Sequence, residues 1–385
     1  MATSPILRPS PATFPRRRTR PKQTSLTLFP TAARHGTCES PSEASAPTPV
    51  PDRRTKPAQE LVGIARLAAS SPCAEAKRGT EYFLLPVRSI LNRCDSERVP
   101  FHWTVNPYRG CEFGCRYCYA RYTHEYMELD GAEFESKIYV KQDAGATVER
   151  DLTTKKIRGE HIAIGTATDP YQPAEKEFGA TRAILEKMAE REGLRLEITT
   201  KSNQVVRDID LLRRISERSS LTINISITTM RTRLARLLEP RAPRPDLRMD
   251  AVRQLRAAGI ATGVFAMPII PGLTDREEDL DAVAHGARDA DAQWFGGNAL
   301  FLMPSSLKEF LPFLEQKFPK LLRRYQEWYG RGGYAPETYR KEISERLRKL
   351  RAKYGLGSLS QIRAPHQMHS PQLALGLSAP AGASA

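Results

Sequence analysis

Three of the six cysteines, Cys111, Cys115 and Cys118, fall within eight residues as C-x3-C-x2-C in the stretch NPYRGCEFGCRYCYAR, Asn106 to Arg121. Thiolates this close can converge on one metal centre, and Gly110 and Gly114 let the backbone wrap tightly around it. A four-iron cluster held by three protein thiolates keeps one iron without a protein ligand, and that iron is free to bind and reduce a small molecule. The competing use of the loop is a structural zinc with His124 or His102 as fourth ligand, although zinc sites more often pair C-x2-C with a distant second pair or with spaced histidines. Three thiols in one short loop cannot pair among themselves, so a disulfide framework is the poorest reading. Cys38, Cys73 and Cys94 read as unliganded thiols.

The elements that must hold this loop follow an alternating pattern. Phe101 to Val105 reads as a short strand delivering the cysteines, a helix is expected over Cys118 to Tyr126, and Phe134 to Lys141 alternates like a strand before a helix at Ala144 to Ile157. Further strands are expected at His161 to Thr166, Arg195 to Thr200, Leu221 to Thr228, Ala261 to Ile270 and Trp294 to Leu302. Helices fall at Glu177 to Glu192, Ile209 to Ser216, Met249 to Ala258 and Asp275 to Arg288, with Gly193 and Gly259 as stop signals. Counting the strand before the cysteines with these last five gives six strands in βα units, which predict an α/β fold with a parallel sheet curled into a partial (β/α)6 barrel, and periodicity alone leaves a doubly wound sheet open. In such folds chemistry gathers at the carboxyl ends of the strands. Those ends carry Thr166, Thr168 and Asp169, then Thr200, Lys201, Ser202 and Asn203, then Ser226, Thr228 and Thr229. The fifth strand ends in Pro268, Pro271 and Gly272. Hydroxyls, a carboxylate and an ammonium over one mouth suit a zwitterionic, ribose-bearing ligand, while Ser, Thr and Asp at these positions equally suit helix caps.

The cysteine spacing, with Tyr117 just before the third cysteine, resembles the loop of radical S-adenosylmethionine (SAM) enzymes. The strings TDPYQPAEK (Thr168 to Lys176), TKSNQVVRDIDLL (Thr200 to Leu212), ISITT (Ile225 to Thr229), LEPRAPRPDLR (Leu238 to Arg248) and MPIIPGLTD (Met267 to Asp275) resemble the spore photoproduct lyase-like branch of that superfamily. The resemblance covers roughly residues 81 to 330 and favours the partial barrel. It implies that Cys111, Cys115 and Cys118 ligate a [4Fe-4S] cluster whose fourth iron binds SAM. It further implies that Tyr117 packs near the adenine, that Lys201 and Ser226 contact the SAM carboxylate and ribose region, and that Thr168 with Asp169 lies at the matching second-strand end. Glu239 and Arg248 are further candidates for cofactor binding and could equally form an ion pair that holds their loop. The implied chemistry is reductive cleavage of SAM to a 5′-deoxyadenosyl radical, fed by an external electron donor of flavodoxin or ferredoxin type. One departure stands out. In the photoproduct lyases a cysteine at the end of the second strand donates hydrogen to the product radical, whereas here Gly165 to Asp169 contains no thiol. Tyr119 or Tyr171 could relay a hydrogen atom instead, or Cys73 or Cys94 could fold over the mouth.

Composition bounds the rest. The 385 residues carry a net charge of +15, with ten Lys or Arg against four Asp or Glu in the first sixty. The basic excess is therefore spread along the chain, and nucleic acid is among the partners it allows. Domain organisation is expected as a disordered basic tail (1–57), an extension packing on the core (58–100), the core (101–304), a helical extension (305–355) and a disordered tail (356–385). No apolar run reaches the ~20 residues needed to cross a bilayer, so a soluble, cytoplasmic protein without membrane contact is expected. A non-catalytic metal-binding nucleic-acid protein is the alternative from another class. Modification of a peptide or protein is a third reading, weakened because no second cysteine cluster is present.

Overall fold

The computed structural model describes residues 60–362 apart from positions 78, 98, 156, 158 and 331. The basic segment 1–57, Cys38 and most of the segment after 355 lie outside the described residues. In chain order the elements are α1 (Gly63–Ser70), β1 (Cys73–Lys77), β2 (Thr80–Leu85), β3 (Leu91–Arg93), β4 (Trp103–Val105), β5 (Tyr108–Arg109), α2 (Tyr122–Glu125), β6 (Lys137–Lys141) and α3 (Ala144–Thr154). The βα alternation continues with β7 (His161–Ile164), α4 (Glu175–Phe178), α5 (Ala180–Ala189), β8 (Arg195–Thr200), α6 (Ile209–Arg218), β9 (Ser220–Ser226), α7 (Thr232–Leu238), α8 (Pro245–Ala257), β10 (Thr262–Ile269), α9 (Glu277–Asp289) and β11 (Phe295–Ala299). Among the described residues four helices follow: α10 (Pro304–Lys317), α11 (Pro319–Tyr329), α12 (Glu337–Tyr354) and the single turn α13 (Leu359–Ile362).

The main sheet has the order β11-β10-β9-β8-β7-β4-β3. Six of its strands are parallel and neighbour one another in chain order, and only β3 runs antiparallel, at the edge beside β4. A doubly wound sheet reverses its strand order at a switch point; this one does not. The two faces also differ. Ile162, Ile164, Leu196, Ile198, Ile223, Ile225 and Val264 project into the main apolar core, whereas the alternating His161, Glu197, Asn224 and Ser226 are buried polar residues. A parallel sheet covered by helices on both faces has apolar residues on both, so the helices here cover one face and leave a polar interior on the other. Hydrogen bonds run across that interior: Glu197 lies 3.2 Å from His161 Nε2 and accepts from Asn224 Nδ2 at 2.8 Å, and Asn224 accepts from Trp294 Nε1 at 2.9 Å. Gly263 makes room for that indole, since a Cβ there would sit 2.3 Å from it.

Several boundaries differ from expectation for identifiable reasons. The segment 58–100 does more than pack on an edge: β1 and β2 join β6 and β5 in a second, four-stranded sheet, and β3 extends the main one. The helix expected over Cys118 to Tyr126 is a 3-10 turn (Tyr119–Arg121) followed by the single turn α2. Phe134 belongs to another 3-10 turn, capped by Asp130, so β6 starts only at Lys137. Gly179, at φ +60°, splits the long helix expected from Glu177 into α4 and α5. Cys73 is disulfide-bonded rather than an unliganded thiol, and Cys94 is a free thiol. Among the described residues no helix is long and apolar enough to cross a membrane.

Candidate metal and cofactor site

The cysteine loop leaves β4 at Val105 and is tied down on every side. Cys111 N donates to Phe134 O at 2.9 Å and Arg116 N to Leu238 O at 2.9 Å, which joins the loop to the turn before β6 and to the end of α7. Gly110 O accepts from Thr168 Oγ1 at 2.6 Å and from Gln172 Nε2 at 3.2 Å. Glu112 N donates to Gln172 Oε1, and the Glu112 carboxylate accepts from Ala174 N and Tyr82 Oη. Arg121, wholly buried, pairs with Glu135 at 2.6 Å and donates to Gly131 O, with Cys115 O at 3.4 Å. Ser306 of α10 donates to Cys118 O at 2.9 Å. Gly110 has φ +84°, and a Cβ on it would meet Lys137 O at 2.7 Å and Phe134 O at 2.9 Å, so this bend requires glycine.

Burial pushes all three thiols above their ordinary range, Cys115 up to about 12. Negative neighbours add to this, Asp169 for Cys111 and Glu239 for Cys115, while Arg121 opposes it at Cys118. The thiols also act on one another, so the three side chains share one region. Metal binding here must release protons, as thiolate ligation requires. Among the described residues no three His, Cys, Asp or Glu side chains already surround a single point. Neither histidine considered as a fourth ligand serves. His102 is exposed at the start of β4. His124 is buried against Phe134 and Tyr139 and hydrogen-bonded through Nε2 to Lys137 O at 2.9 Å.

Around the loop the strand ends bring most of the other candidates together. Glu239 is the hub: its carboxylate accepts from the Tyr117 hydroxyl, from Thr228 Oγ1 at 2.7 Å and from Arg248 at 2.5 Å. Arg248 also donates to Ser226 O at 3.0 Å and Pro243 O at 2.8 Å. Burial raises the Glu239 carboxyl, but Arg248 and Lys201 outweigh it and hold the group below its usual range. The Lys201 ammonium lies 5.9 Å from the centroid of the Tyr117 ring. Burial lowers it, yet Glu239 and Cys115 raise it further, so it stays charged. Among the described residues Lys201 Nζ and the Ser226 hydroxyl have no hydrogen-bond partner.

Thr168 and Asp169 behave differently, because their side chains are consumed by the scaffold. Thr168 holds Gly110, while Asp169 accepts from Thr200 Oγ1 at 2.6 Å, Lys201 N at 2.7 Å and Tyr171 N at 2.9 Å, locking the ends of β7 and β8 together. Of the candidate hydrogen relays, Tyr171 is a core residue, and Tyr119 lies beside Cys118, 40% exposed, with its hydroxyl on Thr166 O. Cys94 sits beyond the Arg93–Trp103 pair, at the end of β3 and β4 opposite the loop. Glu112, Gln172 and Arg121 escaped sequence reasoning. The signal available was weak: a charged residue at the second position of a cysteine loop is usually solvated, and only the fold shows it buried.

The family model of the radical SAM superfamily matches residues 105–283. An uncharacterized protein of Mycobacterium bovis is 35% identical over 271 residues, 70% of this chain and 79% of that protein. Another, from Methanocaldococcus jannaschii, is 31% identical over 218 residues, 57% of this chain and 77% of its own length. Among solved structures, a spore photoproduct lyase mutant aligns with a TM-score of 0.55 at 17% identity, covering 71% of this chain and 80% of that one. A second such mutant, with bound AdoMet and dinucleoside spore photoproduct, gives 0.54 at 16% identity over 78% and 87% of the two chains. At these identities the structural likeness is one of fold.

Proposed function

This chain belongs to the radical SAM superfamily, and on that premise we propose that it is an enzyme in which Cys111, Cys115 and Cys118 hold a [4Fe-4S] cluster and the surrounding strand ends hold SAM. When bound, cluster and SAM together supply reductive cleavage to a 5′-deoxyadenosyl radical, which takes hydrogen from an unactivated C–H bond. The observation that carries the reading is the charged, half-buried Lys201 beside Cys115, which makes no direct ion pair among the described residues: Glu239 acts on it but is already engaged by Arg248, Tyr117 and Thr228, and Asp169 by Thr200 and backbone N–H groups. A partly buried ammonium with donors free and its nearest carboxylates engaged elsewhere gains from a ligand that supplies the missing acceptor. Lys201 is the residue to bind a ligand carboxylate, and the Ser226 hydroxyl on the polar face of β9 is placed to bind a ribose. Tyr117, fixed through Glu239 and Thr228, offers its ring face to both the ammonium and an adenine. Thr168 and Asp169 serve as positioning residues for the loop and for the Lys201 backbone. Apolar side chains from α10 and α11 exclude water from the loop.

The sheet is read as a partial (β/α)6 barrel, its polar face forming the lumen. Nucleic acid is the substrate class proposed, on the basic charge of the chain and the fold shared with a lyase solved with a dinucleoside photoproduct. Because Gly165 to Asp169 carries no thiol, repair of the spore photoproduct itself is not proposed, and Tyr119 takes the place of a hydrogen relay in this reading. An external flavodoxin or ferredoxin type donor supplies the electron.

The test is anaerobic reconstitution with iron and sulfide, reduction with dithionite in the presence of SAM, and chromatography for 5′-deoxyadenosine, beside a Cys115→Ala control. Nucleoside from the wild type alone supports the reading. A wild type with a verified cluster that forms none under any reductant, or stoichiometric zinc after anaerobic purification, would sink it.

A further inference from the structure

A second pair of cations stands outside the network just described. Arg109 on β5 is paired with Tyr139 on β6, and Lys141 N donates to Pro107 O at 3.1 Å. The antiparallel register therefore puts Arg109 and Lys141 on the same face of the small sheet, as diagonal neighbours. Lys141 is only 6% exposed and Arg109 Nε is buried without a hydrogen bond. Among the described residues neither side chain has an ion pair or a hydrogen-bond partner. No carboxylate pairs directly with either among the described residues. His124, on the facing helix α2, donates through Nε2 to Lys137 O and leaves Nδ1 buried and unbonded. Asp151 on α3 is the carboxylate that acts on Lys141, but it is already engaged by Ser89 Oγ, Ile90 N, Leu91 N and Lys155. Burial, and then the charge of Arg109, lower Lys141 to about 7.

A guanidinium and a buried amine held together, neither with a direct partner and the amine only partly protonated near neutral pH, work against the fold. Such an arrangement is maintained for an anion that arrives from outside. Tyr122 faces Arg109, and Tyr126, 63% exposed, packs edge-on against Tyr122 at 5.4 Å between ring centroids. We propose that Arg109 and Lys141 form a binding site for the phosphoryl oxyanion of a phosphate ester, with Tyr122 and Tyr126 flanking it to stack on an attached base. Arg109 lies two residues before Cys111, so a phosphate held there sets the rest of the ligand against the cysteine loop. Only the identity of that ligand as substrate rests on the radical-enzyme reading.

The test uses the anaerobically reconstituted chain without SAM or reductant, so its answer is independent of 5′-deoxyadenosine formation. Thermal midpoints are measured against inorganic phosphate, with chloride matched for ionic strength, for the wild type, Lys141→Met and Arg109→Gln. A short single-stranded oligonucleotide is then titrated by fluorescence anisotropy, with and without phosphate as competitor. Phosphate is expected to raise the wild-type midpoint and to leave both variants unmoved, while Lys141→Met without phosphate melts higher than the wild type because folding no longer has to bury an amine and draw it away from its ordinary protonated state. Competition between phosphate and oligonucleotide assigns the ester to a nucleic acid, and its absence assigns it to a small phosphate ester. A wild type indifferent to phosphate, or variants that merely melt lower and keep the phosphate response, would overturn the site.

Discussion

Glu239 shows how much one buried carboxylate can organise. It is 1% exposed, and its partners reach it from the cysteine loop (Tyr117), the end of β9 (Thr228) and α8 (Arg248). Breaking a buried pair by removing one partner leaves an uncompensated charge and costs about 3–5 kcal/mol. Glu239→Gln keeps the shape but strands Arg248 and brings Lys201 a neutral neighbour. Chemical denaturation should show a loss in that range, and SAM binding should weaken as Tyr117 and Lys201 lose their fixed positions. The pH dependence has a definite sign. Because the folded carboxyl is held below its ordinary value, the unfolded chain takes up the proton first as pH falls. The stability carried by Glu239 is thus complete above the ordinary glutamate range and is lost as pH drops through the folded value. In Glu239→Gln that acid-side slope should shrink, and an unchanged slope would assign it to other groups.

At the level of elements, the loop turns on one bend that admits only glycine. Gly110 and Gly114 both have positive φ, a conformation that costs an L-residue about 1–2 kcal/mol. A Cβ on Gly114 meets nothing closer than 3.7 Å, whereas on Gly110 it strikes two carbonyl oxygens within 3.0 Å. Gly114→Ala should therefore cost about that conformational penalty alone, and Gly110→Ala clearly more, with iron retained per chain after reconstitution falling in the same order. Equal losses would mean that the backbone clash is relieved elsewhere. The bend, the three cysteines and the βα alternation were legible because each has a local signature: thiol spacing, glycine, and apolar residues at strand period. Polar anchors such as Glu112, Gln172 and Arg121 were not, since their burial depends on which loops the fold brings together. The strands before Trp103 were missed for a related reason. β1 has an exposed pattern and β3 is three residues long, so both are strands only by virtue of the partners they find. Thr168 and Asp169 were legible as strand-end residues, but the direction of their side chains, toward Gly110 and Thr200 rather than outward, was not.

Across the whole molecule, the helices after β11 divide between two apolar clusters, and that division has a consequence for the site. Phe310 and Leu314 of α10 and Tyr325 and Tyr329 of α11 pack with Cys111, Phe113, Cys115 and Tyr117. Ile343, Leu347 and Leu350 of α12 belong instead to the main core beneath the sheet. Phe310 and Ile343 are both buried, at 0% and 2% exposure. Truncating either to alanine should cost a few kcal/mol, about 3–5 for the phenylalanine and 2–5 for the isoleucine. The two losses act on different things. In Phe310→Ala the cavity opens behind the cysteine loop, admits water beside the thiols and loosens the Ser306 contact to Cys118 O, so iron bound per chain should fall and air should bleach the cluster absorbance faster. In Ile343→Ala the cavity lies on the far face of the sheet, so the thermal midpoint should fall while iron content and bleaching rate, measured well below that midpoint, stay at wild-type values. If Ile343→Ala lost iron as readily as Phe310→Ala at matched stability, retention of the cluster would follow global stability, and the helical extension would have no specific part in guarding the loop.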